Sequence, residues 1–191
     1  MSKGSGGTRA GGASGNSRQD LAGKASTQLM NAIQSGKFDK MSYQEQDRLL
    51  AAADKEASRL KEDRYSYSDS EWEAMGAYQG SGYEQMNDFA SGKTQGDPIT
   101  RKLVSDMDKA IARHKLTKDI VVWRGSDKVE TKSGRFVSTS LKASVAEKFH
   151  TDKNLHAYLI PKGTPYLYTE RKNEAEVILP RNFDINKYKI K

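Results

Sequence analysis

The chain has 191 residues, enough for one domain with a substantial core and an additional segment. It has no cysteine, which excludes disulfides and thiolate metal sites, and its histidines (His114, His150 and His156) lack metal-ligand spacing. The net charge of +7 favours anionic partners and equally serves solubility. Because no apolar run could span a membrane and no secretory signal is visible, we expect a cytoplasmic protein, or one delivered into a host cell by a route not visible in the sequence.

The N-terminal part divides into a tail and a helical segment. Residues 1–25 are predicted to form a disordered basic tail, because they are rich in Gly and Ser and poor in apolar side chains. The tail could contact nucleic acid, but a flexible leader is favoured. A helical segment follows over residues 26–62. Its first helix opens at Ser26, and a capping-box pattern from Ser42 to Glu45 starts a longer one. These helices are predicted to pack on the main domain or on a partner.

The main domain is predicted over residues 68–191 and begins with helices. A capping-box pattern from Ser70 to Glu73 starts the first of them, and two glycines separate it from a second helix. Asp97 and Pro98 open a third helix. Its apolar residues recur every four positions and predict one buried stripe, made of Ile99, Leu103, Met107 and Ile111.

From Ile120 onward the pattern changes to strands. Short apolar or alternating runs are bounded by turn residues, with one short helix among them over residues 143–149. Helices followed by strands, without regular alternation, favour an α+β fold with a mainly antiparallel sheet. The predicted strands are 120–124, 136–140, 156–160, 165–168, 176–179 and an edge strand over 183–190.

Three polar motifs fall at these strands, and the last contains two glutamates. In order they are Trp123-Arg124-Gly125, Ser138-Thr139-Ser140 and Glu174-Ala175-Glu176. In an extended chain, residues two apart point to the same face, so we expect the two carboxylates to project together. Such a pair suits chemistry that stabilises a cation on one reactant and accepts a proton from another. By itself, the pair is weak evidence, because a Glu-x-Glu pattern is usually a solvated strand end.

The ordered set resembles the Arg, Ser-Thr-Ser, Glu-x-Glu signature of mono-ADP-ribosyltransferases, the toxin and phage enzymes that use NAD. The resemblance runs from about Glu71 to the C-terminus and includes Tyr83 with Asn87 on a helix. It implies an ADP-ribosyltransferase-like fold of two packed antiparallel β-sheets, with N-terminal helices and with NAD in the cleft between the sheets.

The resemblance assigns catalytic roles to Glu176, Glu174 and Ser138. Glu176 would stabilise the ribosyl cation that forms when nicotinamide leaves. A carboxylate ~4 Å from such a cation contributes roughly 4 kcal/mol at an effective dielectric constant near 20. Ser138 would hold Glu176 in one rotamer. Glu174 would orient an acceptor guanidinium and take its proton, because a Glu at this position accompanies arginine acceptors in the family. Ordinary β-propensity is the alternative for the serine.

The resemblance also assigns residues to NAD binding. Arg124 would bind the diphosphate bidentately, and Gly125 would let the nicotinamide approach the backbone. Their alternatives are a structural salt bridge and a tight turn. Tyr78 could face the target protein. The remaining positions carried over are Tyr83, Asn87, Thr139, Ser140 and Phe149. Core burial is the equal alternative for Tyr83 and Phe149, and Thr139 and Ser140 are expected to support the site rather than to catalyse.

These motifs predict an NAD-dependent mono-ADP-ribosyltransferase that modifies arginine side chains of a target protein and releases nicotinamide. The alternatives are an NAD glycohydrolase and a non-catalytic basic binding module on the same fold. The expected partners are NAD and a protein with an accessible arginine, without a membrane. Related toxins often have an arginine shortly after the Phe149 position; here either Lys153 substitutes for it or the contact is missing. Arg171 stands where related loops often have an aromatic residue. We therefore expect a target different from theirs, whether the protein is a phage enzyme, a secreted toxin or a virion component.

Overall fold

The computed structural model describes residues 16–57, 67–125, 134–148, 155–169 and 174–190. The predictions on Phe149, Lys153 and Arg171, and on most of the tail, lie outside these residues. The helices are α1 (Asn16–Gln34), α2 (Tyr43–Ala57), α3 (Asp69–Tyr78), α4 (Tyr83–Ala90), α5 (Pro98–Arg113) and α6 (Ala143–Glu147). The strands are β1 (Ile120–Gly125), β2 (Val137–Ser140), β3 (Leu155–Ile160), β4 (Leu167–Thr169) and β5 (Glu176–Leu179). Two short 3-10 helices span Phe38–Lys40 and Ile185–Tyr188.

The helix α1 begins inside the segment that was predicted as a tail. It is interrupted at Gly23, which has a φ of 74° and a ψ of 168°. Just beyond this kink, the Glu56 carboxylate of α2 accepts hydrogen bonds from the backbone N–H groups of Ala25, at 2.7 Å, and Ser26, at 2.9 Å. Glu56 therefore caps the regular part of α1, which starts close to the Ser26 position expected from the sequence.

The capping box at the start of α3 is formed by Ser68 and Glu71, so the prediction of Ser70 with Glu73 was wrong. The Glu71 carboxylate accepts from the Ser68 N–H at 2.7 Å, and Ser68 Oγ accepts from the Glu71 N–H. Glu71 is buried and also receives the Arg113 guanidinium of α5 at 2.6 Å, whereas Glu73 is exposed. This ion pair between two helices selects the earlier of two overlapping patterns.

The buried face of α5 differs from the predicted stripe. Met107 and Ile111 are buried as expected, but Ile99 is 71% exposed, and Val104, which lies outside the predicted stripe, is buried. A helix has 3.6 residues per turn, so steps of four residues drift around its axis. Over the length of α5 this drift carries the first residue of the stripe out of the core and into solvent.

The strands form one antiparallel sheet in the order β3-β1-β2-β5-β4. The predicted α+β class is confirmed, but within the described residues the strands make a single sheet. The predicted edge strand over 183–190 is mainly the 3-10 helix Ile185–Tyr188, with one bridge from Lys189 to Tyr158. The two ends of the sheet nevertheless share one core. Val122 of β1 and Tyr158 of β3 contribute to it from one end, and Val177 of β5 and Tyr168 of β4 contribute from the other end.

The opposite face of the sheet carries two helical layers. The first layer consists of α1, α2 and α6 and packs on Trp123 and its neighbours in β1 and β3. The second layer consists of α3, α4 and α5 and packs on Leu167 and Ile178 of β4 and β5. The helices of residues 26–57 therefore pack on the main domain, which is one of the two possibilities raised above. None of the helices in the described ranges has the length and apolar character needed to cross a membrane.

A polar row lies on this face between the two layers. Paired residues of neighbouring strands point to the same side of a sheet, and residues two apart in one strand do so too. Trp123 pairs with Ser140, Ser140 pairs with Glu176, and Glu176 pairs with Thr169. Ser138, two residues before Ser140, joins the row. The fold thus places hydroxyls and a carboxylate where the apolar cover is interrupted.

Candidate active site

A cavity of about 760 Å³ opens over this polar row. Its volume is in the range of small-molecule sites. Both helical layers and the strands between them contribute to its wall. The lining residues are Tyr78, Gln79, Gly80, Tyr83, Trp123, Arg124, Gly125, Ser138, Thr139, Ser140, Val145, Ala146, Glu174 and Glu176.

Glu176 is the first residue of β5, and its side chain is held inside the cavity. Its Oε2 accepts a hydrogen bond from Gln79 Nε2 at 3.0 Å. Burial raises the pKa of the Glu176 carboxyl, hydrogen bonds from Gln79 and Ser138 oppose that rise, and the charge of Glu174 adds to it. The carboxylate is therefore partly desolvated but fixed by donors.

Glu174 lines the same cavity, but not for the reason given by strand alternation. Ala175, between the two glutamates, has a φ of 45°, so the chain is not extended there. Two hydrogen bonds fix this turn: Ser140 Oγ donates to the Glu174 carbonyl at 2.6 Å, and the Leu141 N–H donates to the Ala175 carbonyl at 2.9 Å. The expectation that an extended chain points the two glutamates to the same face was therefore wrong, although both glutamates do line one cavity.

Ser138 contacts Tyr78, whose hydroxyl lies 3.0 Å from Ser138 Oγ. Tyr78 is only 1% exposed, so the expectation that it faces a target protein was wrong. Burial is the main reason that the pKa of the Tyr78 phenol is raised, which keeps the hydroxyl protonated. Tyr78 instead supports Ser138, a residue that acts to lower the pKa of Glu176.

Arg124 and Gly125 end β1 at the edge of the cavity. Arg124 Nη1 donates to the carbonyl of Ser138, and its buried Nε has no hydrogen-bond partner in the part of the chain described. No carboxylate of the described residues forms an ion pair with it, so the structural salt bridge considered above gains no support. A guanidinium beside the cavity is suited to bind a phosphate.

Three other predicted site residues, Tyr83, Thr139 and Asn87, differ in their surroundings. Tyr83 is 39% exposed at the rim, with its ring centroid 5.0 Å from that of Tyr78. Thr139 also lines the cavity, but its hydroxyl donates to the Val177 carbonyl at 2.7 Å and is buried there. Asn87 is fully buried, is not among the residues that line the cavity, and accepts from the Phe136 N–H at 3.1 Å, so its assignment to NAD binding stays a prediction that this position does not support.

Gln79 is the polar residue that the sequence analysis missed. It caps the C-terminal end of α3, and its Nε2 donates both to Glu176 and to Thr169 Oγ1, the latter at 2.8 Å. A residue at a helix end belongs to no periodic pattern, so no apolar spacing reveals it. The available signal was its position immediately before the turn through Gly80 and Gly82, because turns next to helix ends often carry functional groups.

Comparison with known families identifies the chain. The family model described as ADP-ribosyltransferase exoenzyme matches residues 37–135, just over half of the sequence. The chain belongs to the ADP-ribosyltransferase exoenzyme family. The matched region of this exoenzyme-family chain includes α2, the second helical layer and β1, and it ends before β2. The roles of the serines and glutamates therefore depend on their geometry rather than on this match.

Individual relatives agree with this family. NAD(+)–arginine ADP-ribosyltransferase EFV of Enterococcus faecalis is 27% identical over 165 residues, which cover 76% of this chain and 32% of that protein. The chain thus spans about a third of the length of this relative.

Solved structures of the same fold include exoenzyme S from Pseudomonas aeruginosa, in complex with human 14-3-3 protein beta and bound to carba-NAD. It has a TM-score of 0.53 and 20% identity over 62% of this chain and 64% of that one. Plx2a, an ADP-ribosyltransferase toxin from Paenibacillus larvae, has a TM-score of 0.52 and 18% identity over 67% and 83% of the two chains. These likenesses establish the ADP-ribosyltransferase fold that the motifs implied.

Proposed function

We propose that this protein is an NAD-dependent mono-ADP-ribosyltransferase that modifies arginine side chains of a target protein and releases nicotinamide. The observation that carries the proposal is the pair of carboxylates in one cavity with different surroundings. Glu176 is held by the hydrogen bond from Gln79, and Ser138 acts to lower the pKa of the Glu176 carboxyl. The Glu174 carboxylate accepts no hydrogen bond from the residues that the structure describes, so it is available to an incoming group.

The first half of the reaction is the departure of nicotinamide. Arg124 binds the diphosphate of NAD, and Gly125 and Tyr83 border the dinucleotide. The bond between the nicotinamide nitrogen and ribose C1′ breaks, and its electron pair leaves with nicotinamide. The Glu176 carboxylate stabilises the positive charge that develops on the ribose. Roughly 4 kcal/mol of such stabilisation, if present only in the transition state, corresponds to about a thousandfold in rate.

The second half is attack by the acceptor. A terminal nitrogen of the target arginine forms the new bond to ribose C1′, and Glu174 takes the proton that this nitrogen loses. A glutamate at this position supports arginine as the acceptor, because a carboxylate orients a guanidinium through paired hydrogen bonds. The relative from Enterococcus faecalis, which is named for an arginine acceptor, supports the same choice.

The setting of the reaction is inferred from the same relatives. The fold is shared with proteins that are named as toxins, among them Plx2a. We infer that the target is met in the cytoplasm, either where the protein is made or in a host cell to which it is delivered. Nucleic acid is a second candidate partner, because the charged side chains of residues 1–25 are mostly basic, but the cavity explains the chemistry without it.

The test follows nicotinamide release and transfer together. The protein is incubated with labelled NAD and either poly-arginine or poly-lysine. Release of nicotinamide with label on poly-arginine alone supports the proposal. Release without label on either polymer identifies an NAD glycohydrolase. If neither occurs with poly-arginine or with a cell lysate, the protein is a non-catalytic module.

The variant Glu174→Gln separates transfer from NAD cleavage. It keeps the shape of the side chain and removes its ability to take a proton. Labelling of poly-arginine should fall by at least about tenfold, since general-base catalysis contributes typically a hundredfold or more, while slow release of nicotinamide persists. Full arginine labelling by this variant would contradict the role given to Glu174.

A further inference from the structure

The amide of Gln79 makes two hydrogen bonds that meet at the catalytic cavity. Its Nε2 donates to Glu176 Oε2 at 3.0 Å and to Thr169 Oγ1 at 2.8 Å. A primary amide has two N–H groups on one nitrogen, and both are used here. The orientation of the Gln79 side chain is therefore fixed by two acceptors rather than by one.

The two acceptors are themselves held in register. Thr169 and Glu176 are directly paired across β4 and β5, and Thr169 is buried. Side chains of a directly paired position lie next to each other on one face of the sheet. Gln79 thus bridges a rigid pair of strand residues from the end of α3. Turning its amide over would place the carbonyl oxygen against the carboxylate, which is unfavourable because both are acceptors.

We propose that Gln79 is a positioning residue for Glu176: it holds the carboxylate toward the reacting ribose, and Thr169 fixes the amide that does so. The inference rests on the proposed function, since it concerns the same carboxylate. Gln79 does not need to touch NAD for this role. Its neighbour Tyr78 is bonded to Ser138, so two successive residues at the end of α3 support Glu176 and its hydrogen-bonded serine.

The hydrogen bond from Gln79 also favours the charged form of the carboxylate. Burial raises the pKa of Glu176, and the Gln79 donor opposes this rise. The titratable or charged groups that face Glu176 from the surrounding elements are Glu174 before β5, Tyr78 on α3, Tyr83 on α4 and Arg124 on β1. The described parts of β2, β4 and α6 present only neutral side chains to the cavity. Loss of the donor should therefore shift the acid limb of activity to higher pH.

The decisive variant is Gln79→Met, which keeps the length of the side chain and removes the donor. The turnover number for nicotinamide release at neutral pH should fall by about tenfold to a hundredfold, the size expected for one hydrogen bond to a charged group. The KM for NAD should stay within about twofold, because binding contacts are retained. Thr169→Val should also lower turnover and shift the acid limb to higher pH, but by less than Gln79→Met. It removes the acceptor that fixes the Gln79 amide and leaves the amide itself in place.

Gln85→Met is the matched control, since this exposed glutamine donates to Asp97 at the protein surface. It should leave turnover and pH profile unchanged. Melting curves of the three variants check folding. If Gln79→Met keeps the wild-type acid limb, or raises the KM without lowering turnover, the positioning role is refuted.

Titration of the Glu176 carboxyl by carbon NMR gives an answer that does not depend on activity. In the NAD-free protein, Gln79→Met should raise the pKa of this carboxyl relative to the wild type. An unchanged pKa would count against the role of Gln79. If the wild type releases no nicotinamide, the proposed function fails, and the titration still decides whether Gln79 controls Glu176. Should Gln79→Met not fold, the same titration in Thr169→Val decides the question.

Discussion

The two helical layers cover the same face of one sheet but contribute differently to the cavity. The second layer, α3 to α5, brings Tyr78, Gln79 and Tyr83 into its wall. Among the described residues, the first layer contributes Val145 and Ala146, both from the short helix α6. Both layers bury apolar side chains against the sheet. A layer therefore contributes polar side chains to the site where its helices end at the cavity. Where its helices run alongside the strands, it contributes apolar packing.

The turn between α3 and α4 shows how the second layer achieves this. Gly82 lies so close to the preceding helix that an added Cβ would meet the Ala77 carbonyl oxygen at 2.9 Å. The tight turn ends α3 at Gln79 and starts α4 at Tyr83, so both side chains reach the cavity. In the first layer, Asp54 of α2 instead accepts from the N–H and hydroxyl of Ser144 and caps α6, whose own N-cap residue makes no side-chain cap.

The largest effect is expected for the catalytic carboxylate of Glu176, which the second layer holds in place. Glu176→Gln keeps the shape of the side chain and removes the charge that faces the ribosyl cation. Nicotinamide release should fall by about a thousandfold, the rate equivalent of roughly 4 kcal/mol, with little change in melting temperature. Glu73→Gln, an exposed position on α3, is the control and should retain full activity. A Glu176→Gln protein within tenfold of the wild type would remove Glu176 from the chemistry.

A core substitution in the first layer should affect stability rather than chemistry. Leu50 of α2 is 2% exposed and packs in the cluster that contains Trp123. Leu50→Ala should lower the free energy of unfolding by about 2–5 kcal/mol in urea titration, because it removes buried methyl groups and leaves a cavity. Leu49→Ala, at its partly buried neighbour, should cost less. Loss of nicotinamide release per folded molecule would show that this layer does more than cover the sheet.

Arg124 tests the boundary between the layers. Arg124→Ala should weaken NAD binding in calorimetry by about tenfold to a hundredfold, because hydrogen bonds to charged groups contribute about 1.5–3 kcal/mol. Arg124→Lys should restore little, since a lysine cannot bind a diphosphate with a planar fork. Arg101→Ala, on the exposed face of α5, serves as the control for loss of one positive charge. Unchanged NAD affinity in Arg124→Ala would exclude Arg124 from the site.

The smallest expected effect probes the contact by which α2 supports α6. Asp54→Ala removes the acceptor for Ser144 and should lower the free energy of unfolding by about 1 kcal/mol, as loss of a helix cap does. Because α6 lines the cavity, the KM for NAD should rise several-fold while turnover is kept. Asp47→Ala, exposed on the same helix, should change neither. If turnover rather than KM changed in Asp54→Ala, the first layer would contribute directly to chemistry.

The order of the secondary-structure elements and of the motifs could be predicted from the sequence alone. Apolar periodicity located most helices and strands within a few residues, since these patterns depend on local geometry. The Arg, Ser-Thr-Ser and Glu-x-Glu motifs were readable because each lies in a short contiguous stretch. Where two local signals overlapped, as for Ser68 and Ser70, the sequence could not choose, because the choice depends on the ion pair between Glu71 and Arg113.

Only the tertiary structure decided how the motifs meet. The left-handed conformation of Ala175 and the hydrogen bonds that Ser140 and Leu141 donate to this turn, rather than strand alternation, bring both glutamates into one cavity. Gln79 donates a hydrogen bond to Glu176, which lies 97 positions further along the sequence. Asn87 accepts a hydrogen bond from the Phe136 N–H and lies outside the cavity wall. These contacts join residues that are distant along the chain. Local propensity carries no information about such pairs, because their energies exist only once the layers have packed on the sheet.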